Sequence, residues 1–197
     1  MKRLLWINAC MRGEGKSRTD GLCREFLSAW KEHNPDGEVV ERDLTQAGLP
    51  ILTAELAQAR DAAVQENQMD SPLLEIAREL AGADCVVIGA PYWDLAFPAV
   101  LKVYLEWAST LNITFHYTQT GASEGLCKAD DLLYITTAGG PVWGQNFGFD
   151  YVKALGAMLG IGNAQCVVAE DLDVWNGPGE ENLQKARAQL RKLAETW

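Results

Sequence analysis

The sequence predicts a doubly wound α/β fold: five parallel strands, numbered along the chain, in the order 2-1-3-4-5, with helices on both faces. Three observations carry this. Short apolar runs alternate with helix-length segments of 3.6-residue periodicity, giving β-α-β-α-β-α-β-α-β. The first run, Leu4 to Ala9, empties into a small, charged, glycine-bearing turn, Cys10 to Lys16, that a helix follows at once. The third run, Cys85-Val86-Val87-Ile88, is closed by Gly89-Ala90-Pro91, the profile of a strand buried on both faces. In such sheets ligands sit outside the carboxyl ends of the strands, so the loops after the core strands are where function is expected.

Taken in order, the first strand, Leu4 to Ala9, and its turn lead into a helix that Ser17 or Thr19 can cap, with Leu22, Phe26 and Trp30 on its apolar stripe. Asn34-Pro35-Asp36-Gly37 ends it. Val39 to Leu44 alternates, as an edge strand would, and Gly48-Leu49-Pro50 turns the chain. Ala54 to Asn67 is charged, alanine-rich and helix-prone, a surface excursion; Ser71 to Leu80 is a second helix ahead of the central strand. Pro98 opens an apolar helix, and Ile113 to Thr118 alternates before the turn residues Thr120, Gly121 and Gly125, predicting an inserted hairpin. Asp131 to Thr137 is a core strand, Phe149 to Leu159 a helix, Gln165 to Ala169 the last strand and Glu181 to Thr196 a charged amphipathic closing helix.

One domain spanning residues 1–197 accommodates all of this, with no repeat, linker or stretch long enough to cross a membrane. A chain of this length buries roughly 70 % of the surface its unfolded form exposes. The apolar run after Lys2-Arg3 stops at Asn8, too short for the core of a signal peptide. A formal net charge of -10 argues against nucleic acid and anionic membranes as partners. An anionic ligand must therefore find a local positive pocket. The five cysteines form no C-x-x-C pair and fall mostly in apolar stretches, which points to a reducing cytoplasm.

The turn after the first strand carries Arg12, Lys16 and Arg18, the hydroxyls of Ser17 and Thr19, and free N–H groups at a helix start. That set suits a phosphomonoester; on these residues alone, a capped helix with solvated basic side chains remains open. Gly15-Lys16-Ser17 invites a nucleotide-hydrolase loop, but Cys10 stands where that motif needs glycine. The dinucleotide G-x-G-x-x-G is absent too. After the third strand, Tyr92-Trp93-Asp94-Leu95-Ala96-Phe97 puts three aromatics in a loop, as if something flat lay against it. After the fourth, Thr137-Ala138-Gly139-Gly140 lets backbone N–H groups approach a ring closely, though a tight turn explains it equally. A phosphate cradle, an aromatic loop and an amide edge together match FMN.

These segments, with I-T-F-H-Y-T-Q-T-G-A-S-E-G-L-C from Ile113 to Cys127, resemble the flavodoxin-like FMN-dependent NAD(P)H:quinone oxidoreductases and NADH-azoreductases over nearly the whole chain. The resemblance implies a homodimer with FMN at the subunit interface, NADH or NADPH as co-substrate, and ping-pong two-electron reduction of a small-molecule acceptor, a quinone or an azo compound. Arg12, Ser17, Arg18 and Thr19 match its phosphate loop, Pro91, Tyr92, Trp93 and Asp94 the loop beside the isoalloxazine, and Thr137, Ala138, Gly139 and Gly140 the turn at the pyrimidine side. The chain departs from azoreductase-like members at Asp94, where asparagine is usual, and at His116 and Ala138, where arginine is usual. A carboxylate beside the ring would disfavour negative charge on it, so Asp94 is expected to act through its backbone N–H.

His116 and Tyr117 are candidates for a substrate pocket built with the partner subunit, against the plainer reading of an exposed strand. Phe115, Tyr117, Trp107 and the aromatic loop are read as apolar surface for dimerisation. Two rivals stand beside the enzyme: a flavodoxin-type electron carrier, for which segments 53–70 and 112–128 would be superfluous pocket walls, and a nucleotide hydrolase. With only His33 and His116 as histidines, no Ser-His-Asp, Cys-His or metal cluster assembles; a flavin would do the chemistry itself.

Overall fold

Alternation along the buried strands divides the core into two halves, one on each side of a parallel sheet. The computed structural model describes residues 2–197. In β1 (Arg3–Asn8), Leu5 and Ile7 face one side while Leu4 and Trp6 face the other. Strand β3 (Cys85–Gly89) does the same with Val86 and Ile88 against Cys85 and Val87, and every one of its residues is buried. Successive side chains point to opposite faces of a strand, so a run that is apolar throughout needs cover on both.

Helix α1 (Arg18–His33) covers one face with Leu22, Phe26 and Trp30, joined by Ala186, Leu190 and Ala194 of the closing helix. The opposite face is covered by α3 (Glu75–Ala81), α4 (Ala99–Ala108) and α5 (Phe147–Met158), through Ile76, Leu80, Leu101, Tyr104 and Val152. The remaining strands are β2 (Glu38–Asp43), β6 (Asp131–Thr137) and β7 (Asn163–Ala169), with α6 (Gly179–Ala194) last. Sheet order is β2-β1-β3-β6-β7, all parallel, with β2 at an edge. Counting only these five strands, this is the predicted 2-1-3-4-5.

The two extra strands, β4 (Phe115–Tyr117) and β5 (Ser123–Gly125), form the expected antiparallel hairpin outside the main sheet. Its base is fixed by two buried threonines, Thr110 and Thr114. Thr114 Oγ1 donates to the carbonyl of Ala108 and accepts from Thr110 N–H. Gly125 passes so close to the end of α5 that a Cβ there would lie 1.9 Å from Gly160 N. Helix α2 (Ala54–Gln65) is the predicted excursion, with Ala63 alone buried.

Most element boundaries shift by one or two residues from the sequence reading, and three of the differences have a visible local reason. Helix α5 starts at Phe147 because Asn146 caps it, its Oδ1 accepting from Phe149 N–H at 2.9 Å. The 71–80 segment opens as a 3-10 turn, Pro72–Leu74, capped by Ser71, before α3 begins. Strand β7 starts at Asn163, which pairs with Asp131. Trp107 is a correction: it is buried, and its indole N–H donates to Pro50 O at 2.8 Å. The turn around Pro50 folds over it, so it belongs to the core and not to a dimer surface.

Candidate functional site

At the carboxyl ends of β1, β3 and β6 the chain forms one cleft of about 180 Å³. Arg12, Ser17, Arg18 and Thr19 line one side of it; Pro91, Tyr92 and Trp93 line another, and Thr137 and Gly139 close the third. The three loops singled out in the sequence therefore meet. Within the chain the cleft receives nothing from residues 53–70 or 112–128, so neither segment walls it.

Ser17 is the N-cap of α1, in extended backbone, with Oγ accepting from Asp20 N–H at 3.2 Å. Its hydroxyl proton stays available to a ligand. Among the described residues, the N–H groups of Arg18 and Thr19 donate to no protein acceptor, as the first turn of a helix requires unless something outside it accepts. Thr19 lines the cleft with its side chain fully buried, and its Oγ1 shares a 2.7 Å hydrogen bond with Thr137 Oγ1 that fixes the hydroxyl's position beside the free backbone N–H. Lys16 is exposed and lines an adjoining groove with Glu14 and Arg187, one that shares Ser17 and Arg18 with the cleft, which leaves Arg12 and Arg18 as the cations lining the cleft itself.

The aromatic loop is held in a tight turn. Asp94 and Leu95 both take positive φ, 50° and 67°, and Ala96 N–H donates back to Trp93 O at 2.8 Å. Two consecutive non-glycine residues there cost about 1–2 kcal/mol each. The strain is held by neighbours: Tyr92 N–H donates to Thr137 O, Tyr92 Oη–H to Gln145 O, and Phe147 N–H to Leu95 O. The turn leaves the Trp93 indole 42 % exposed at the cleft. Asp94 is exposed and does not line the cleft; its N–H donates to no protein acceptor among the described residues.

On the third side, Gly139 and Gly140 N–H groups are likewise unspent among the described residues. Ala138 is not available in this way: it is buried and its N–H donates to Ala169 O at 2.9 Å. Gly140 lies beside the cleft without lining it. His116 and Tyr117 lie on the hairpin, away from the cleft of their own chain, His116 Nε2 being 3.2 Å from Glu124 Oε2.

One lining residue has no counterpart in the sequence reading. Asp173, in the loop after β7, meets Arg18 with both carboxylate oxygens, at 2.9 and 3.1 Å. The Arg18 hydrogen bond, with Arg12 adding a smaller pull, holds the Asp173 carboxyl below its ordinary range. The available signal was positional, since the loop after the last strand opens on the same edge of the sheet as the other three.

Unspent N–H groups at a helix start, a free hydroxyl, two guanidiniums and an exposed indole are a donor set for a phosphorylated, partly aromatic anion. Among the described residues no group of three or more His, Cys, Asp or Glu gathers as a metal site, and no helix is long and apolar enough to cross a membrane.

Comparison with known proteins agrees with this geometry. Residues 2–194 match a family described by its flavodoxin-like fold. An FMN-dependent NADH:quinone oxidoreductase 2 of Clostridium acetobutylicum is 33 % identical, covering 98 % of this chain and all of the relative. An FMN-dependent NADH:quinone oxidoreductase of Clostridium beijerinckii is 32 % identical over the full length of both. An FMN-dependent NADH-azoreductase from Bacillus anthracis, solved in complex with FMN, superposes with a TM-score of 0.85 at 24 % identity, covering all of this chain and 99 % of that one. At that identity the superposition speaks for the fold.

Proposed function

Because the chain belongs to the family with the flavodoxin-like fold and is matched along its length by FMN-dependent NADH:quinone oxidoreductases, we propose that it is an FMN-dependent NADH oxidoreductase reducing quinones or azo compounds. The observation that carries this reading is the cleft in which the start of α1, with its unspent N–H groups, Arg12, Arg18 and the Trp93 indole converge. When bound there, FMN supplies the chemistry, taking a hydride equivalent from NADH and passing two electrons to the acceptor in a separate half-reaction.

The chain's own residues bind and orient. Ser17 Oγ–H and the N–H groups of Arg18 and Thr19 would hold the phosphate, with Arg12 and Arg18 neutralising it. Tyr92 and Trp93 would lie against the apolar part of the ring, and the unspent N–H groups of Asp94, Gly139 and Gly140 would meet its polar edges, where a hydrogen-bond donor favours negative charge. The strained turn at Asp94 and Leu95 supports this, because it leaves the Asp94 N–H without a protein acceptor among the described residues while the residue itself is exposed.

The working unit in this reading is a homodimer. Trp93, Leu95, Trp143, Phe147, Tyr117 and Trp175 are all large apolar side chains left exposed, Trp143 at 82 % and Trp175 at 90 %. A solvated monomer rarely leaves so many large apolar side chains exposed. His116, Tyr117 and the 53–70 segment, absent from the cleft of their own chain, would then serve the partner's. We assign the cytoplasm as its compartment on five unpaired cysteines.

Anaerobic titration with NADH tests the reading. The purified yellow protein should bleach with one equivalent of NADH per flavin and regain its colour on adding a benzoquinone. A colourless protein that takes up no FMN, or a flavin that NADH leaves unchanged, would overturn it.

A further inference from the structure

Asp173 is an acidic residue in a cleft whose other features select an anion, and its backbone is tied in place. Three backbone hydrogen bonds tie its loop to the turn after β6: Leu172 N–H to Ala138 O, Asp173 N–H to Gly139 O at 2.8 Å, and Asp171 N–H to Gly140 O. From that anchored backbone the carboxylate reaches over Gly139. A Cβ on Gly139 would stand 2.5 Å from Asp173 Oδ2, so the missing side chain there makes room for this carboxylate. Both oxygens then fork onto Arg18, whose Nη1 also donates to Leu172 O at 3.0 Å. Arg18, one of the two cations lining the cleft, is thus already neutralised by an internal anion.

Arg–carboxylate and Arg–phosphate pairs use the same planar fork. A phosphate arriving at Ser17 and the start of α1 finds that fork occupied, with a second negative charge beside it. The loop backbone cannot retreat, being hydrogen-bonded along its length, but the carboxylate can, since the Asp173 side chain is 63 % exposed. We propose that Asp173 is a competing internal anion, which holds Arg18 when the phosphate subsite is empty, yields it when FMN binds, and so sets a deliberately weakened and exchangeable flavin affinity. The proposal rests on the reading that the phosphate of FMN binds at Ser17 and Arg18. It makes Asp173 a positioning residue that acts on the phosphate end of the cofactor and leaves the ring untouched.

The test uses the holoprotein and two flavins that differ only by the phosphate. Flavin release on dilution, followed by recovery of free-flavin fluorescence, gives the affinity of wild type and of Asp173→Asn for FMN and for riboflavin. Asparagine keeps the shape and one acceptor for Arg18 while removing the charge. The FMN dissociation constant should fall roughly tenfold, the size expected when one unit charge no longer faces a dianion across a solvent-exposed gap of a few ångströms. Riboflavin affinity should not change. Raising the salt concentration should narrow the FMN difference, and Asp173→Ser, which deletes the carboxylate altogether, should move FMN affinity the same way. Unchanged or weaker FMN binding in both variants, with wild type still preferring FMN to riboflavin, would overturn the proposal and make Asp173 a support for Arg18. Should wild type hold riboflavin as tightly as FMN, the phosphate assignment fails and the proposal with it.

Discussion

The hydroxyl pair between Thr19 and Thr137 links the start of α1 to the end of β6, and its removal has a calculable cost. Thr19 is completely buried and Thr137 is 8 % exposed, with 2.7 Å between their oxygens and no other partner for either hydroxyl among the described residues. Thr19→Val keeps the volume but leaves the Thr137 hydroxyl buried and unpaired, a loss of about 1–3 kcal/mol. Thr137→Val should cost about the same by the same reasoning. The double variant removes both polar groups together, and its cost should fall below about 1 kcal/mol. Urea unfolding of the four proteins, compared through midpoints at constant slope, reads the coupling directly. Strictly additive losses would refute the argument, because they would mean that the two hydroxyls do not depend on each other. Since the pair also sets the spacing of the two loops, either single variant should loosen FMN while the double variant recovers part of the affinity.

Gly125→Ala would drive a Cβ to 1.9 Å from Gly160 N and 2.0 Å from Leu159 C, both backbone atoms, so it should destabilise by about 3 kcal/mol; Gly162→Ala, with open space around it, should stay within about 0.5 kcal/mol in the same thermal melt. Asp84 carries a lowered pKa, owed first to Lys128 and then to the N–H of Arg3, so its contribution is complete above the ordinary value of 3.8 and disappears as pH falls through the lowered one. The stability gap between wild type and Asp84→Asn should therefore shrink only in acid, and a gap independent of pH would contradict the pairing. Burial pushes the thiols of Cys85 and Cys166 up to about 11 and about 12. Both should react slowly with thiol reagents at pH 8, and rapid native labelling of Cys85 would contradict its place at the centre of the sheet.

Much of this was legible because the signals are local. Cys85 to Gly89 can be read as a central strand from its own composition, and Ser17 as a cap from its place before Leu22, Phe26 and Trp30. What sequence could not supply were facts that depend on distant segments. Trp107 reads as surface until the Pro50 turn is laid over it. Asp173 lies 155 residues from Arg18, in a loop whose acidic character is ordinary. Thr19 reads as a phosphate ligand by its type, and only the fold shows that its hydroxyl is also paired with Thr137, a partner 118 positions away. The steric demand at Gly125 is set by α5, which only the folded chain brings there.

The central claim, that the start of α1 holds the phosphate of FMN, is tested most directly by the flavin content of Ser17→Ala/Arg18→Ala as purified. Each lost hydrogen bond to that charged group costs about 1.5–3 kcal/mol, roughly 10- to 150-fold in affinity. The variant should emerge largely colourless, and excess FMN should restore NADH oxidation with a near-normal turnover number, since the ring side of the cleft is intact. A variant that keeps its full yellow complement, losing only about 1 kcal/mol of stability from the missing cap, would contradict the claim.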